Sequence, residues 1–199
     1  MRMPPPPPPI PDGWHAAPPD FVGVGAQRCA TTWWYGLLAS HPEFCRACLK
    51  ACAPDARLLV LLRDPVARFG SGMATHTASR AARGRPTDPR APGVHLARSR
   101  YWTQLLGVLR HFPRERVLVQ QYERCVAAPE AELARTCRFL GLAPFDGAIS
   151  RTPVNASDGA SELPAAVEAS LRQALADDAR RLAEDFPEID LELWPGAVS

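Results

Sequence analysis

Phe21-Val-Gly-Val-Gly-Ala-Gln-Arg-Cys-Ala-Thr-Thr32 decides how the rest of the chain is read. A short apolar run, Phe21–Val24, has the length and composition of a strand. It ends in a glycine-bearing loop with one basic residue, Arg28, and two hydroxyls, Thr31 and Thr32. The residues after it, from about Thr31 to Ser40, read as a helix that His41-Pro42 ends. Strand, tight loop and helix start in that order make an anion site. The first turn of a helix offers unpaired N–H groups and the positive end of its dipole. Arg28 adds a full charge, and the threonines add donors. Two plainer roles stay open: Arg28 as a surface ion-pair residue, and the threonines as simple caps of the helix.

Outward from this loop, strand-like and helix-like segments alternate. Leu58–Leu62 is unbroken apolar sequence, as in a parallel strand covered on both faces. Asp64-Pro65 predicts a helix start, with Asp64 as N-cap and Pro65 at the first position. Ala81–Pro92, rich in Arg, Pro and Gly, is expected to be a mobile loop. Tyr101–His111 reads as helix, with Leu105, Leu106 and Leu109 on one side. Val117–Tyr122 is a third strand. Pro129–Leu140 is a helix with Leu133, Cys137 and Leu140 on one face, stopped by Gly141. A last long helix over Leu163–Phe186 carries Val167, Leu171, Leu175 and Leu182. The alternation predicts an α/β domain built on a parallel sheet.

Length and composition narrow the function. The 199 residues suit one domain, residues 20–199, behind a proline-rich tail over residues 1–19. Pro4–Pro9 is unbroken proline, extended in preference, and reads as a disordered tail before an SH3-type ligand. A net charge of +2 argues against a large nucleic-acid footprint. No apolar run reaches the roughly 18–20 residues of a membrane span, and the start lacks a secretory apolar region. A soluble, cytoplasmic protein is expected. His41, Cys45, Cys48 and Cys52 lie close together, yet their spacing lacks the distant second ligand pair of a zinc site. Small reduced thiols are the preferred reading, and no metal is expected.

A second polar loop follows the second strand. Arg63 stands at its tip, and Ser71 lies eight positions on, one or two turns into the next helix. In open parallel sheets ligands bind beyond the carboxyl ends of the strands. Two such loops suit one ligand with phosphates at both ends.

The two loops together resemble those of the sulfotransferases that use 3′-phosphoadenosine 5′-phosphosulfate (PAPS), closest to the bacterial and heparan-sulfate-type branch. The first motif is Gly25-Ala-Gln27-Arg28-Cys29-Ala30-Thr31-Thr32, continued by Leu37-Leu38-Ala39-Ser40-His41-Pro42. The second is Arg63-Asp64-Pro65 with Ser71. The likeness runs on through Tyr101, Gln104-Leu105, His111-Phe-Pro113, Val117-Leu-Val, Tyr122-Glu123, Pro129, Phe139-Leu-Gly141, Asn155-Ala-Ser157 and Leu193-Trp194.

The resemblance implies a P-loop-like three-layer αβα fold and sulfuryl transfer from PAPS to a hydroxyl or amine of a carbohydrate or small metabolite. The product is then adenosine 3′,5′-bisphosphate. It implies that Gln27, Arg28, Cys29, Ala30, Thr31 and Thr32 hold the 5′-phosphosulfate, that Arg63 and Ser71 hold the 3′-phosphate, and that Arg28 is catalytic. Two departures stand out. Ala30 occupies a position where the family has glycine, and Arg28 one where it has lysine. The stretch between Phe44 and Ala56 is also short. In the family that region carries the general base, and no residue in it matches one here. His76 is a weak substitute, more ordinarily an exposed helix residue. A non-catalytic nucleotide-binding remnant is therefore the alternative. A P-loop kinase is less favoured, because Gly-Lys-Ser/Thr is missing from the first loop.

Overall fold

The continuous apolar run Leu58–Leu62 forms the middle strand of a parallel sheet, as its covered-on-both-faces composition predicts. In the computed structural model the described residues are 21–25 (backbone), 56–110, 112–145, 147, 149 and 163–195. Three strands are present there: β1 (Phe21–Gly25), β2 (Arg57–Leu62) and β3 (Val117–Gln121). Their order is β1-β2-β3 and both pairings are parallel. Leu58 lies opposite Val117 and Leu62 opposite Gln121. On the other side Phe21 pairs with Arg57, and the register shifts between Gly23 and Gly25.

Side chains alternate across a strand, so β2 feeds two different cores. Leu59 and Leu61 join Leu118, Cys125, Leu133, Cys137 and Leu140 on one face. Leu58, Val60 and Leu62 join Val117, Val119, Leu105, Leu182, Phe186 and Trp194 on the other. Among the described residues the helices are α1 (Pro65–Ala81), α2 (Ala91–Ser99), α3 (Tyr101–Leu109), α4 (Tyr122–Ala127), α5 (Pro129–Leu140) and α6 (Ala165–Asp185). α3 to α6 supply partners to these two cores, and Val66 and Phe69 of α1 form a third cluster with Leu171 and Leu175 of α6. Helices cover both faces of the sheet, giving the three-layer αβα arrangement.

Several helix ends fall where the residues require. Asp64 caps α1, its carboxylate accepting from the N–H groups of Val66 and Ala67 at 2.8 and 2.9 Å. α5 spans the expected residues and buries Leu133, Cys137 and Leu140. Gly141 follows it with φ 76°, the left-handed stop. Arg57 reaches that same end, its guanidinium donating to the Leu140 carbonyl at 2.6 Å.

Three expectations need correction. The stretch expected as loop over Ala81–Pro92 is shorter, because α1 runs to Ala81 and the helix α2 starts at Ala91. Pro92 sits in the first turn of α2, where a missing N–H costs nothing. Val167 is exposed, while Leu171, Leu175 and Leu182 of the same helix are buried. It lies in the first turn of α6, before the helix meets its neighbours. β3 ends at Gln121, and Tyr122 already opens α4.

The expected domain limits, residues 20–199, and the tail before them include stretches outside the described residues, as do the Gly25–Thr32 loop beyond Gly25 and the cluster of Cys45, Cys48 and Cys52. No helix among the described residues is long and apolar enough to cross a membrane.

An Ala at position 141 puts a side chain where φ is positive and brings Cβ to 3.2 Å from the Arg57 guanidinium. Gly141→Ala is expected to lower stability by about 1–2 kcal/mol, read as a lower urea midpoint with unchanged slope.

Candidate functional site

All three strands point their carboxyl ends at one edge of the sheet. β1 ends at Gly25, in register with Val60 of β2. Two residues farther along β2 the chain turns out through Arg63 and Asp64. Neighbouring strands lie about 4.8 Å apart. The start of the glycine loop and the Arg63 tip are therefore neighbours on this edge.

The Arg63–Asp64 turn is held from several directions. The Tyr101 hydroxyl donates to the Arg63 carbonyl at 3.1 Å. The Asp64 N–H donates to Glu123 Oε1 at 2.9 Å, and the Trp194 indole N–H donates to Glu123 Oε2 at 2.9 Å. Trp194 is fully buried. The Arg63 guanidinium lies over the Tyr122 ring, 5.7 Å from its centre, and the residue is half-buried. Burial pushes the Glu123 carboxyl above the usual range, while the Asp64 N–H and the Trp194 indole oppose that push.

The N-terminus of α1 has little left to offer an anion. Pro65 has no N–H. Val66 and Ala67 donate to the Asp64 side chain, and Arg68 N–H donates to the Asp64 carbonyl. Recognition of an anion here falls to side chains, not to a bare helix end. Ser71, half-buried, stands near the end of the second turn, about 9 Å along the axis from the helix start. Its carbonyl accepts from the Thr75 hydroxyl at 2.9 Å.

Beyond Ser71, α1 packs against α2. Arg68, with no exposed surface, joins them by donating to the His95 carbonyl at 2.7 Å and to the Ser99 hydroxyl at 3.3 Å. Ser99 in turn donates to the Pro65 carbonyl at 2.8 Å. A buried cation at the last carbonyls of a helix is favourably placed against its dipole. The outer part of this junction opens as a cleft of about 300 Å³ lined by Gly72, Thr75, His76, Ser79, Arg80, Arg83, Arg85, His95 and Arg98. The His76 and His95 rings meet edge to face, with centres 6.0 Å apart. Desolvation, and then the charges of Arg68, Arg98 and His76, hold His95 below the usual imidazole range.

The sequence-derived candidates thus divide. Arg63 and Ser71 lie at the strand tip and on the helix leaving it. Gln27, Arg28, Cys29, Ala30, Thr31 and Thr32 lie outside the described residues. His76 is half-buried in the cleft rather than an exposed helix residue. His95 and the arginines around it were not singled out from sequence. Arg80, Arg83 and Arg85 follow one another closely, and that was the available signal. Cys125 and Cys137 are buried free thiols, and burial pushes the Cys125 thiol well up, so both serve as small core residues. Among the described residues no cluster of His, Cys, Asp and Glu suits a metal ion.

A family model described as the Sulfotransferase family matches residues 44–147, just over half of the chain. The match begins after the Gly25–Thr32 loop and takes in Arg63 and Ser71. The fold is similar to the crystal structure of a sulfotransferase from Alicyclobacillus acidocaldarius, with TM-score 0.68 and 20% identity over 90% of this chain and 99% of that one. A sulfotransferase domain from the curacin biosynthetic pathway aligns with TM-score 0.39 and 19% identity, over 70% of this chain and 56% of that one. No curated protein matches the chain.

Two measurements check the geometry. Glu123→Gln keeps one acceptor oxygen but points an amide N–H₂ at one of the two donors. It is expected to cost about 1–3 kcal/mol in urea unfolding; a variant as stable as the parent shows that the double acceptor is unimportant. For His95 the folded-state pKa lies below the unfolded value of 6.5. As pH falls through about 6.5 the unfolded chain therefore gains a proton that the folded chain resists, and stability drops. The melting temperature should decline between pH 7.5 and 5.5, and His95→Asn should flatten that decline.

Proposed function

Given that the chain belongs to the sulfotransferase family, we propose that it transfers a sulfuryl group from PAPS to a hydroxyl or amine acceptor, a carbohydrate or small metabolite. The observation that carries this reading is the Arg63 tip, fixed by Tyr101 and Glu123 at the carboxyl edge of the sheet, one strand from the end of β1.

The residues at this edge suit the 3′-phosphate. Arg63 offers a planar fork of donors that matches phosphate oxygens, and Ser71 adds a hydroxyl. Because the turn is already ordered, nucleotide binding has little conformational freedom left to remove there. The 5′ side is assigned to the first loop: the hydroxyls of Thr31 and Thr32, and the backbone of Gln27, Cys29 and Ala30, cradle the phosphate, and Arg28 faces the bridging oxygen.

PAPS supplies an activated sulfuryl group whose departure leaves negative charge on that bridging oxygen. A cation fixed at the oxygen stabilises the transition state more than the ground state. Arg28 carries that role, with the planar head of an arginine in place of the compact charge of a lysine.

Calorimetric titration with adenosine 3′,5′-bisphosphate tests the nucleotide half. Arg63→Ala is expected to weaken binding about 10- to 100-fold, the loss of charge-assisted hydrogen bonds worth about 1.5–3 kcal/mol. Transfer of labelled sulfate from PAPS to a panel of sugars and amines tests the chemistry. Arg28→Ala should abolish transfer while leaving the 3′-phosphate contacts in place. Tight nucleotide binding with no transfer to any acceptor identifies a binding remnant. Unchanged melting in saturating nucleotide overturns both, since ligand at a hundredfold over Kd adds about 2.7 kcal/mol.

A further inference from the structure

Several arginines elsewhere in the described residues meet carboxylates. Arg114 pairs with Glu188, Arg135 with Glu132 and Glu188, Arg172 with Glu168, and Arg180 with Asp177. The cleft between α1 and α2 gathers four more, of which Arg80 donates to the Pro86 carbonyl and Arg83 to the Ser79 hydroxyl. Arg80, Arg83, Arg85 and Arg98 line it together with His76 and His95, and among the described residues no Asp or Glu does.

Two of its side chains also carry unspent hydrogen-bonding capacity. His95 is only 6% exposed, and its Nδ1 has no partner among the described residues; the same holds for His76 Nε2. A buried ring nitrogen left unpaired has a cost that a ligand removes. Like charges gathered at a partly enclosed surface repel one another and focus a positive potential into it. An anion relieves both conditions at once.

The cleft is not the Arg63 tip. It starts at Gly72, one residue beyond Ser71, and follows α1 to the turn at Arg83 and Arg85. The helical part of that span, Gly72–Ala81, is about 14 Å long. Its far end is therefore separated from the strand tip by most of α1, and its near end adjoins the residue assigned to the 3′-phosphate. A molecule held in it reaches the donor edge from the side.

We infer that this cleft is a second anion subsite that anchors the acceptor by a sulfate or phosphate monoester already on it. The four arginines supply charge, and the ring nitrogens of His76 and His95 supply hydrogen-bonding positions. The link to an acceptor rests on the donor reading given above; the binding of a monoester does not. The acceptor class is accordingly a small hydroxyl or amine compound, such as a sugar, that bears one ester oxyanion.

The test uses the full chain, glucose 6-phosphate as the probe and glucose as its neutral control, titrated with and without saturating adenosine 3′,5′-bisphosphate. Glucose 6-phosphate is expected to bind in both conditions and glucose in neither. Arg85→Glu/Arg98→Glu, at two exposed positions, should weaken the probe at least tenfold and leave nucleotide affinity unchanged. His76→Leu, which removes the ring nitrogens, should weaken the probe. If nucleotide displaces the probe, or the double variant binds it as the parent does, the subsite is overturned. If the nucleotide itself fails to bind, the donor reading falls. The nucleotide-free titration of parent and double variant then still decides the cleft.

Discussion

One carboxylate joins the parts of this molecule that sequence keeps apart. Glu123 takes the Asp64 N–H with one oxygen and the Trp194 indole N–H with the other, partners 59 and 71 positions away. The β2–α1 turn, the start of α4 and Trp194, which follows the short helical turn Leu191–Leu193, thereby share a single anchor. Burial penalises its charge, and two converging donors offset that penalty. Asp64 is used twice, its N–H given to Glu123 and its side chain given to the first turn of α1. These bonds hold the backbone on which Arg63 stands.

This anchor also explains what was and was not legible in the residues. The β2 run, the Asp64-Pro65 start, the apolar face of α5 and its Gly141 stop are local features, and each shows in a few consecutive side chains. So does the pairing of Arg63 with Ser71 in sequence. Contacts made across the fold do not. α3 has Arg100 at its N-cap position with no capping side chain. Its first N–H groups go instead to Asp178 of α6, at 2.9 Å from Trp102 and 3.1 Å from Thr103. No window around Arg100 contains that information. Tyr122-Glu123 and Leu193-Trp194 read only as fragments of a familiar pattern until the hydrogen bond between them gave the pattern a cause.

The helix α2 shows a different limit. Ala81–Pro92 looks like loop throughout because Pro and Gly are poor in helix interiors. Pro92 is harmless in the first turn, and the rest of α2 is secured from outside by the buried Arg68 guanidinium. Once α2 is a helix, its His95 and Arg98 face α1, and the arginines of the following turn acquire a common cleft. The misjudged loop and the unrecognised cleft have one origin, a buried cation whose partners lie about thirty residues on.

Gly72 makes that junction close. A Cβ there would fall 2.4 Å from His95 Nδ1, so no other residue permits the present approach of the imidazole to α1. A glycine inside a helix costs about 1 kcal/mol relative to alanine. The helix carries this cost immediately after Ser71, in the turn that separates the strand-tip edge from the arginine cleft. Stability is given up where α1 passes from one basic environment to the other, and what the glycine secures is the distance between the two helices. A rigid helix with Ser71 near one end and a basic cleft along the other fixes the distance between them. On the reading proposed above, that fixed distance is the constraint an acceptor must satisfy if its nucleophile is to meet the donor edge.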